Sequence, residues 1–162
     1  MSQVVVGPPL APVVARLVEQ ARLELGAVTG VTPLDGWPPV TDWRTFLDAF
    51  RQPDTRIEGW VVEVSWTEDA LTLGPVTEVT ATLRLQGFRS VDVAGASREA
   101  FRGTVARVFD AFRHSRLDGQ VDYCDPIVSR LDRGATVEER MTGDVLCHVC
   151  DIDVIGRFEV VA

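Results

Sequence analysis

Residues 78–88, with the sequence EVTATLRLQGF, decide how this chain folds because they alternate strictly between polar and apolar side chains. Side chains of an extended chain point alternately to its two faces, so this pattern predicts a strand with one buried face. The apolar positions share that face: Val79, Ala81, Leu83 and Leu85. Residues 57–66 alternate in the same way, with the following residues on one side: Trp60, Val62, Val64 and Trp66. Two half-buried strands in succession predict an antiparallel pair.

The segment 67–77 between these two strands is predicted to be a long connection, because it exceeds the two to five residues of a tight hairpin. It contains three apolar residues that fit neither strand pattern: Leu71, Leu73 and Val76.

Three helices are predicted around the strands. Residues 10–25 carry apolar residues at helical spacing, and Gly26 follows as a natural stop. A Gly- and Pro-rich loop at 26–41 leads to a short helix at 42–50, capped by Thr41 or Asp42. The third helix, 97–114, begins at Ser97 as its cap. Its core stripe comprises Phe101, Val105, Val108, Phe109 and Phe112. Phe109→Ala is expected to cost about 3–5 kcal/mol, as truncation of a core phenylalanine does.

The C-terminal part predicts further strands at 127–132 and 144–155, with a short final strand within 157–162. The strand 144–155 presents Leu146, His148, Cys150, Ile152 and Val154 on one face. The resulting order, α-α-β-β-α-β-β, predicts an α+β domain: a mainly antiparallel sheet with helices packed on one face. We expect a single domain over residues 1–162, with residues 1–9 as a flexible N-terminal arm.

The charge is acidic: 16 basic and 24 acidic residues give a formal net charge of −8. Binding to a phosphate backbone needs clustered cations, so a surface that grips nucleic acid is disfavoured. A surface that lets DNA slide past is compatible with this charge. All 16 basic residues are arginine, which excludes a lysine-based mechanism.

We expect no membrane-spanning segment, because no window of about 18 uncharged apolar residues occurs. No secretory signal is recognisable at the N-terminus. Three cysteines, an odd number, predict reduced thiols in a cytoplasmic setting.

The sequence Cys147-His148-Val149-Cys150 is a candidate zinc site, with Cys124 and His114 as possible further ligands. On a strand, however, Cys147 and Cys150 point to opposite faces, so we expect packed thiols and no metal requirement for folding. His148 is interpreted as a hydrogen-bonded core residue rather than an acid–base catalyst.

Asp151 and Asp153 share the polar face of the same strand, with Asp122 and Asp125 elsewhere, and are interpreted as solvent-facing or interface carboxylates. No nucleophile, P-loop or dinucleotide motif is present, so we expect no enzymatic activity, no catalytic residue and no cofactor.

The segments 27–40 and 67–77 are longer than a compact domain needs, and both carry apolar residues without core periodicity. Exposed apolar clusters usually mark interfaces. The predicted interface residues are Val31, Leu34, Trp37, Leu71, Leu73 and Val76. The alternative is that both loops fold back over the domain's own sheet. Trp37 and Trp43, which flank the Pro-Pro loop, could either contact a partner or hold that loop in place.

The order of elements from Leu10 onward resembles the lambda-type tail terminator proteins of long-tailed phages. An N-terminal helix precedes a Gly/Pro-rich loop, then alternating strands at 56–66 and 78–88. One amphipathic helix follows, 97–114 (SREAFRGTVARVFDAFRH), and a closing strand includes 144–154 (DVLCHVCDIDV). This chain has longer loops than the lambda-type pattern.

The resemblance implies a structural virion protein that forms a homo-oligomeric ring, usually a hexamer. Such a ring caps the tail tube, offers its other side to the head connector and lets DNA pass without specific binding. Two alternatives remain: another neck or head-completion protein of the same particle, and an NTF2-like domain that binds a small molecule or catalyses a reaction. In the NTF2-like alternative, His148, Asp151 or the tryptophans would line a pocket.

Overall fold

The computed structural model describes residues 10–73, 76–92, 94–113, 115–121, 123–128 and 137–161. The predicted arm 1–9, together with His114 and Asp122, lies outside the described residues. The elements in chain order are α1 (Leu10–Thr29), β1 (Leu34–Asp35), α2 (Trp43–Asp48), β2 (Glu58–Leu73), β3 (Val76–Ser90), α3 (Ser97–Arg113), β4 (Tyr123–Val128), β5 (Glu138–Thr142) and β6 (Val145–Val161).

The strands form one six-stranded, mainly antiparallel sheet in the order β1-β2-β3-β6-β4, with β5 also paired to β6. Among the strands that the structure describes, only the short β1 runs parallel to its neighbour β2. The α+β class is therefore as predicted, and the structure adds two short strands, β1 and β5, to the expected order. Strand β6 is the longest and pairs with β3, β4 and β5.

The connection predicted at 67–77 is wrong. β2 continues to Leu73 and β3 begins at Val76, and these two residues are register partners. Only residues 74 and 75 lie between the paired strands. Thr67, Glu68 and Asp69 pair in register with Ala81, Thr80 and Val79. Charged and small residues gave this half of β2 no apolar alternation, yet its backbone pairs as a strand.

A register shift interrupts β2 between Val64 and Trp66, and a second one lies between Ala70 and Thr72. Val64 stands opposite Leu83, whereas Trp66 stands opposite Thr82, a residue of the other face. The predicted regular alternation from Trp60 through Trp66 therefore ends at Val64, because a bulge inserts one residue into the strand.

The main core lies between the sheet and the two long helices, α1 and α3. The inward face of β3 is as predicted, with Val79, Ala81, Leu83 and Leu85 all buried. Trp60 of β2 lies flat over Gly87, where a Cβ would come within 2.6 Å of the indole ring. The helices contribute buried residues at helical spacing: Leu17, Ala21, Leu25, Phe101, Val105, Val108 and Phe112.

Two details of the helices differ from expectation. α1 passes through Gly26 and ends at Thr29, and Gly30 adopts the positive φ of 72° that ends a helix. On α3, Phe109 is only partly buried, with the Arg113 guanidinium 5.0 Å from its ring centroid. The predicted full core role of Phe109 is therefore wrong, while the other four residues of the stripe are buried.

A second, smaller core lies on the opposite face of the sheet under the short helix α2. As predicted, Asp42 caps this helix, accepting the backbone N–H of Thr45 at 3.2 Å. Five aromatic rings then pack together: Trp37, Trp43, Phe46, Phe50 and Phe88. The two long helices share one face of the sheet, and α2 packs on the other face.

The C-terminal strands are shifted relative to the prediction. β4 covers Tyr123–Val128 rather than 127–132, of which residues 129–132 lie outside the described residues. The predicted strands 144–155 and 157–162 form one continuous strand, β6. β5 was missed because its sequence, Glu-Glu-Arg-Met-Thr, is polar and mostly exposed. Within the described residues, no helix has the length and hydropathy required to cross a membrane.

Candidate functional site

The predicted interface residues of the first loop have three different environments. Val31 is only 4% exposed and belongs to the main core, so its assignment to an interface was wrong. Leu34 lies in β1 and packs against the α2 core. Trp37 keeps 36% of its surface exposed, but its indole N–H donates to Gln86 Oε1 at 2.8 Å. This tryptophan therefore holds the loop against the sheet.

The other three predicted interface residues lie on strands rather than in a loop. Leu71 and Leu73 belong to β2, and Val76 opens β3. Val76 is half-buried. Leu73 pairs in register with Val76, and Leu71 lies at the register shift between Ala70 and Thr72. Their part in an interface stays a prediction.

The three cysteines are free and buried. Cys150 belongs to the helix-side core and Cys147 to the α2 core, which confirms that they point to opposite faces of β6. Burial raises the pKa of the Cys124 thiol to about 12 and also raises that of Cys150. Within the described part of the chain, no three His, Cys, Asp or Glu side chains are grouped to hold a metal ion.

His148 is 1% exposed and lies between α3 and the sheet. Its Nε2 is 3.0 Å from Ser97 Oγ, and its Nδ1 lies 3.8 Å from Glu139 Oε1 without a hydrogen-bond partner. Burial lowers the pKa of His148, and the nearby Glu139 carboxylate opposes this shift. The prediction of a hydrogen-bonded core histidine is confirmed.

Ser, His and Glu in this sequence of contacts are the residue types of acyl-transfer enzymes. Here the Ser97 hydroxyl already accepts the Asp92 N–H at 2.8 Å, so it bonds the preceding turn rather than capping its own helix as predicted. Ser97 is only 3% exposed, and its Oγ contacts the Asp92 N–H and His148 Nε2. The arrangement joins the start of α3 to β6.

The polar face of the sheet carries an ordered ladder of cross-strand pairs. Gln86 donates to Asp151 at 2.8 Å, and Arg84 donates to Asp153 at 3.3 Å. Both pairs are direct register partners on β3 and β6. The two carboxylates therefore lie on the polar face as predicted, each bonded to the neighbouring strand.

An open cleft of about 190 Å³ lies on this face beside Trp37 and Arg140. Ligand pockets for small molecules usually span about 300–1,000 Å³. Asp151 lines this cleft, whereas His148 lies on the other side of the sheet, among the helices. The polar residues that the NTF2-like alternative needs in one pocket are thus separated by the sheet.

Several exposed apolar side chains lie outside the six predicted interface residues, and one of them, Trp43, was considered either as a partner contact or as a residue that holds the loop. Trp43 is 46%, Met141 58%, Leu146 40% and Leu23 60% exposed. Leu146 continues the predicted apolar face of β6, but it is partly exposed. In the sequence, Met141 is an apolar residue among the polar residues of 138–142, and this pattern could have indicated an exposed apolar surface.

Comparison with known proteins adds no assignment: no protein-family model matches this chain, and no curated protein matches it.

Proposed function

We propose that this chain is a structural virion protein of the phage tail, a tail terminator. Copies of it form a homo-oligomeric ring, most simply a homohexamer, that caps the tail tube and joins it to the head connector. The proposal combines the resemblance in element order with one structural observation: an open edge of the sheet along β2. Its place of action would be the neck of the virion, after synthesis in the host cytoplasm.

The open edge begins where β1 ends. β1 pairs with β2 only at Val61 and Val62, while β3 occupies the other side of β2 along its length. In the described structure, residues 63–73 have no strand partner on their outer side. At about 3.3 Å per residue, this edge is about 35 Å long.

Unpaired edges are a liability in a monomer, because their free N–H and C=O groups accept strands from other chains. The two register shifts divide this edge and leave residues 66–70 as a regular stretch between them. This stretch offers a neighbouring copy a backbone edge to which a strand could add, and this supports the proposal of assembly. The net charge of −8 suits a bore through which DNA passes without binding.

The decisive experiment measures the mass and shape of the purified protein. Six copies of the 17.8 kDa chain give about 107 kDa by light scattering, and a ring by negative-stain microscopy. A monomer or dimer at all accessible concentrations would refute the ring and favour the NTF2-like alternative. A ring that binds the head connector but leaves tube growth unchanged would identify a different neck protein of the particle.

The edge itself can be tested with proline at two adjacent positions. In an antiparallel pair, N–H groups of successive residues point alternately to the partner and outward. Of Thr67→Pro and Glu68→Pro, one variant therefore breaks the pairing with β3 and serves as the unfolding control. The other removes an outward N–H, and we expect it to leave the monomer folded and to weaken assembly. Normal assembly of both variants would show that this edge is not used.

A further inference from the structure

Two polar neighbours face the buried His148 side chain, one at each nitrogen of its imidazole ring. Nε2 faces the Ser97 hydroxyl at 3.0 Å, at the start of α3. Nδ1 faces the Glu139 carboxylate of β5 at 3.8 Å and is buried without a hydrogen-bond partner. Phe101 packs on the ring, with 6.2 Å between the two ring centroids. His148 therefore lies between a helix and an edge strand, and only its contact with the helix is a formed hydrogen bond.

The neutral form of His148 has one favoured arrangement of hydrogens. The Ser97 oxygen accepts the Asp92 N–H at 2.8 Å, so its own hydrogen is free to be donated to Nε2. The neutral imidazole then carries its hydrogen on Nδ1, directed toward the negative Glu139 carboxylate. The opposite tautomer would direct a lone pair of Nδ1 at that carboxylate. In the favoured tautomer, hydrogen bonds run from the Asp92 N–H through Ser97 to His148 and hold the turn before α3.

Protonation of His148 breaks this chain of hydrogen bonds. An imidazolium donates from both nitrogens, so Nε2 can no longer accept the Ser97 hydrogen. Within the described part of the chain, no other acceptor lies within hydrogen-bond distance of that hydroxyl. The buried hydroxyl hydrogen would be left unpaired, which is unfavourable. At the same time, the charged ring is attracted more strongly to Glu139, whose side chain is 46% exposed.

We propose that His148 is a pH-sensitive link between α3 and the sheet. In its neutral form it holds Ser97 and closes the turn that carries Asp92. On taking up a proton it releases Ser97 and moves toward Glu139, and the turn opens. Histidine is the side chain whose charge ordinarily changes between about pH 5 and 8, so the link responds to mild acidification. This inference goes beyond the proposed tail function and does not depend on the ring.

Charged groups on three elements determine the pH at which the link opens. Arg89 on β3 and Glu139 on β5 are both register partners of His148. Arg98 and Arg102 lie in the first two turns of α3. Burial lowers the pKa of His148, the Glu139 carboxylate opposes this shift, and the three guanidinium groups add to it. Removal of one of these charges should therefore move the opening in a direction that is known in advance.

Hydrogen exchange at single amides, followed by TROSY NMR of the native protein, tests the opening. The Asp92 N–H reports the link because it is bonded to the Ser97 hydroxyl. The adjacent Val91 N–H is the reference, because it is bonded to the Leu146 carbonyl at 2.9 Å. Between about pH 7.5 and 5, Asp92 should lose roughly tenfold protection or more relative to Val91, after correction for the intrinsic exchange rate of each amide.

Three variants separate a titrating link from a merely structural contact. His148→Gln supplies an amide oxygen that can accept the Ser97 hydrogen but takes up no proton, so Asp92 should stay protected at both pH values. Glu139→Gln should move the loss of protection to lower pH, and Arg98→Gln should move it to higher pH. Glu139 and Arg98 are exposed, so these two variants should fold and decide the test even if His148→Gln does not.

The results that would overturn the link are specific. One is equal protection of Asp92, relative to Val91, at both pH values in the wild type. Another is an unchanged loss of protection in His148→Gln, which would show that a different group titrates. A third is an unchanged midpoint in both surface variants, because His148 would then not be the titrating group. None of these results bears on the ring, which the mass of the protein tests separately.

Discussion

Truncating phenylalanines on α3 tests the division between its buried and its partly buried side chains. Phe112 has no exposed surface and lies in the helix-side core. Phe112→Ala should therefore cost about 3–5 kcal/mol of unfolding free energy, the range for a core phenylalanine that leaves a cavity. Phe109 lies three residues earlier on the same helix and is only partly buried, beneath Arg113.

The cost of Phe109→Ala should be much smaller, about 1–2 kcal/mol. Its ring buries less surface, the cation–π contact with Arg113 contributes about 0.5–1 kcal/mol, and alanine regains a few tenths through its higher helix propensity. The two variants share their chemistry and their helix, so the difference between them reports burial.

Urea denaturation followed by circular dichroism measures both costs, provided that the m-value is unchanged. Several protein concentrations are needed, because assembly stabilises the folded state by mass action. If Phe112→Ala does not fold, Phe112→Leu should, at a cost below about 1.5 kcal/mol. Equal costs for the two alanine variants would refute the assignment of Phe109 to the margin of the core.

Three further predictions follow from the core. Gly87→Ala should destabilise the fold by about 1–3 kcal/mol, because its Cβ would meet the Trp60 ring at 2.6 Å; a melting temperature equal to that of the wild type would contradict this contact. Burial lowers the pKa of His148 in the folded state, so on acidification the unfolded chain takes up this proton before the folded chain does. The neutral His148 side chain therefore contributes its full stability above about pH 6.5, and this contribution is lost as the pH falls below that value. His148→Gln should flatten that part of the stability curve, and an unchanged slope would show that another group titrates. The Cys124 and Cys150 thiols should react with a thiol reagent at pH 8 only after unfolding, since burial raises the pKa of both; rapid labelling of the native protein would refute their burial.

The sequence predicted best those elements whose side chains alternate between core and solvent. β3 and α3 were found because one face of each packs on the main core, which imposes a period on the sequence. The half of β2 beyond Val64 carries Thr67, Glu68 and Asp69, whose sequence shows no polar–apolar alternation although their backbone pairs with β3. Edge strand β5 was missed for the same reason.

The candidate surface was harder to predict because exposure depends on what covers a residue. Val31 looked like a loop residue without a role, yet it lies in the core beneath α1. Leu146 continues the apolar face of β6, yet it is 40% exposed. No local pattern distinguishes these two residues, since the extent of a neighbouring helix is a property of the tertiary structure.

The pairing of β6 has a consequence for the order of folding. The β2–β3 and β5–β6 hairpins join residues close in sequence, such as Leu73 with Val76 and Thr142 with Val145. The β3–β6 ladder instead joins residues far apart in sequence, from Ser90 with Cys147 to Val76 with Val161. Closing such long loops is entropically costly and slows folding. We therefore expect two early hairpins and a late docking step between them, during which the inner edge of β3 is open to aggregation.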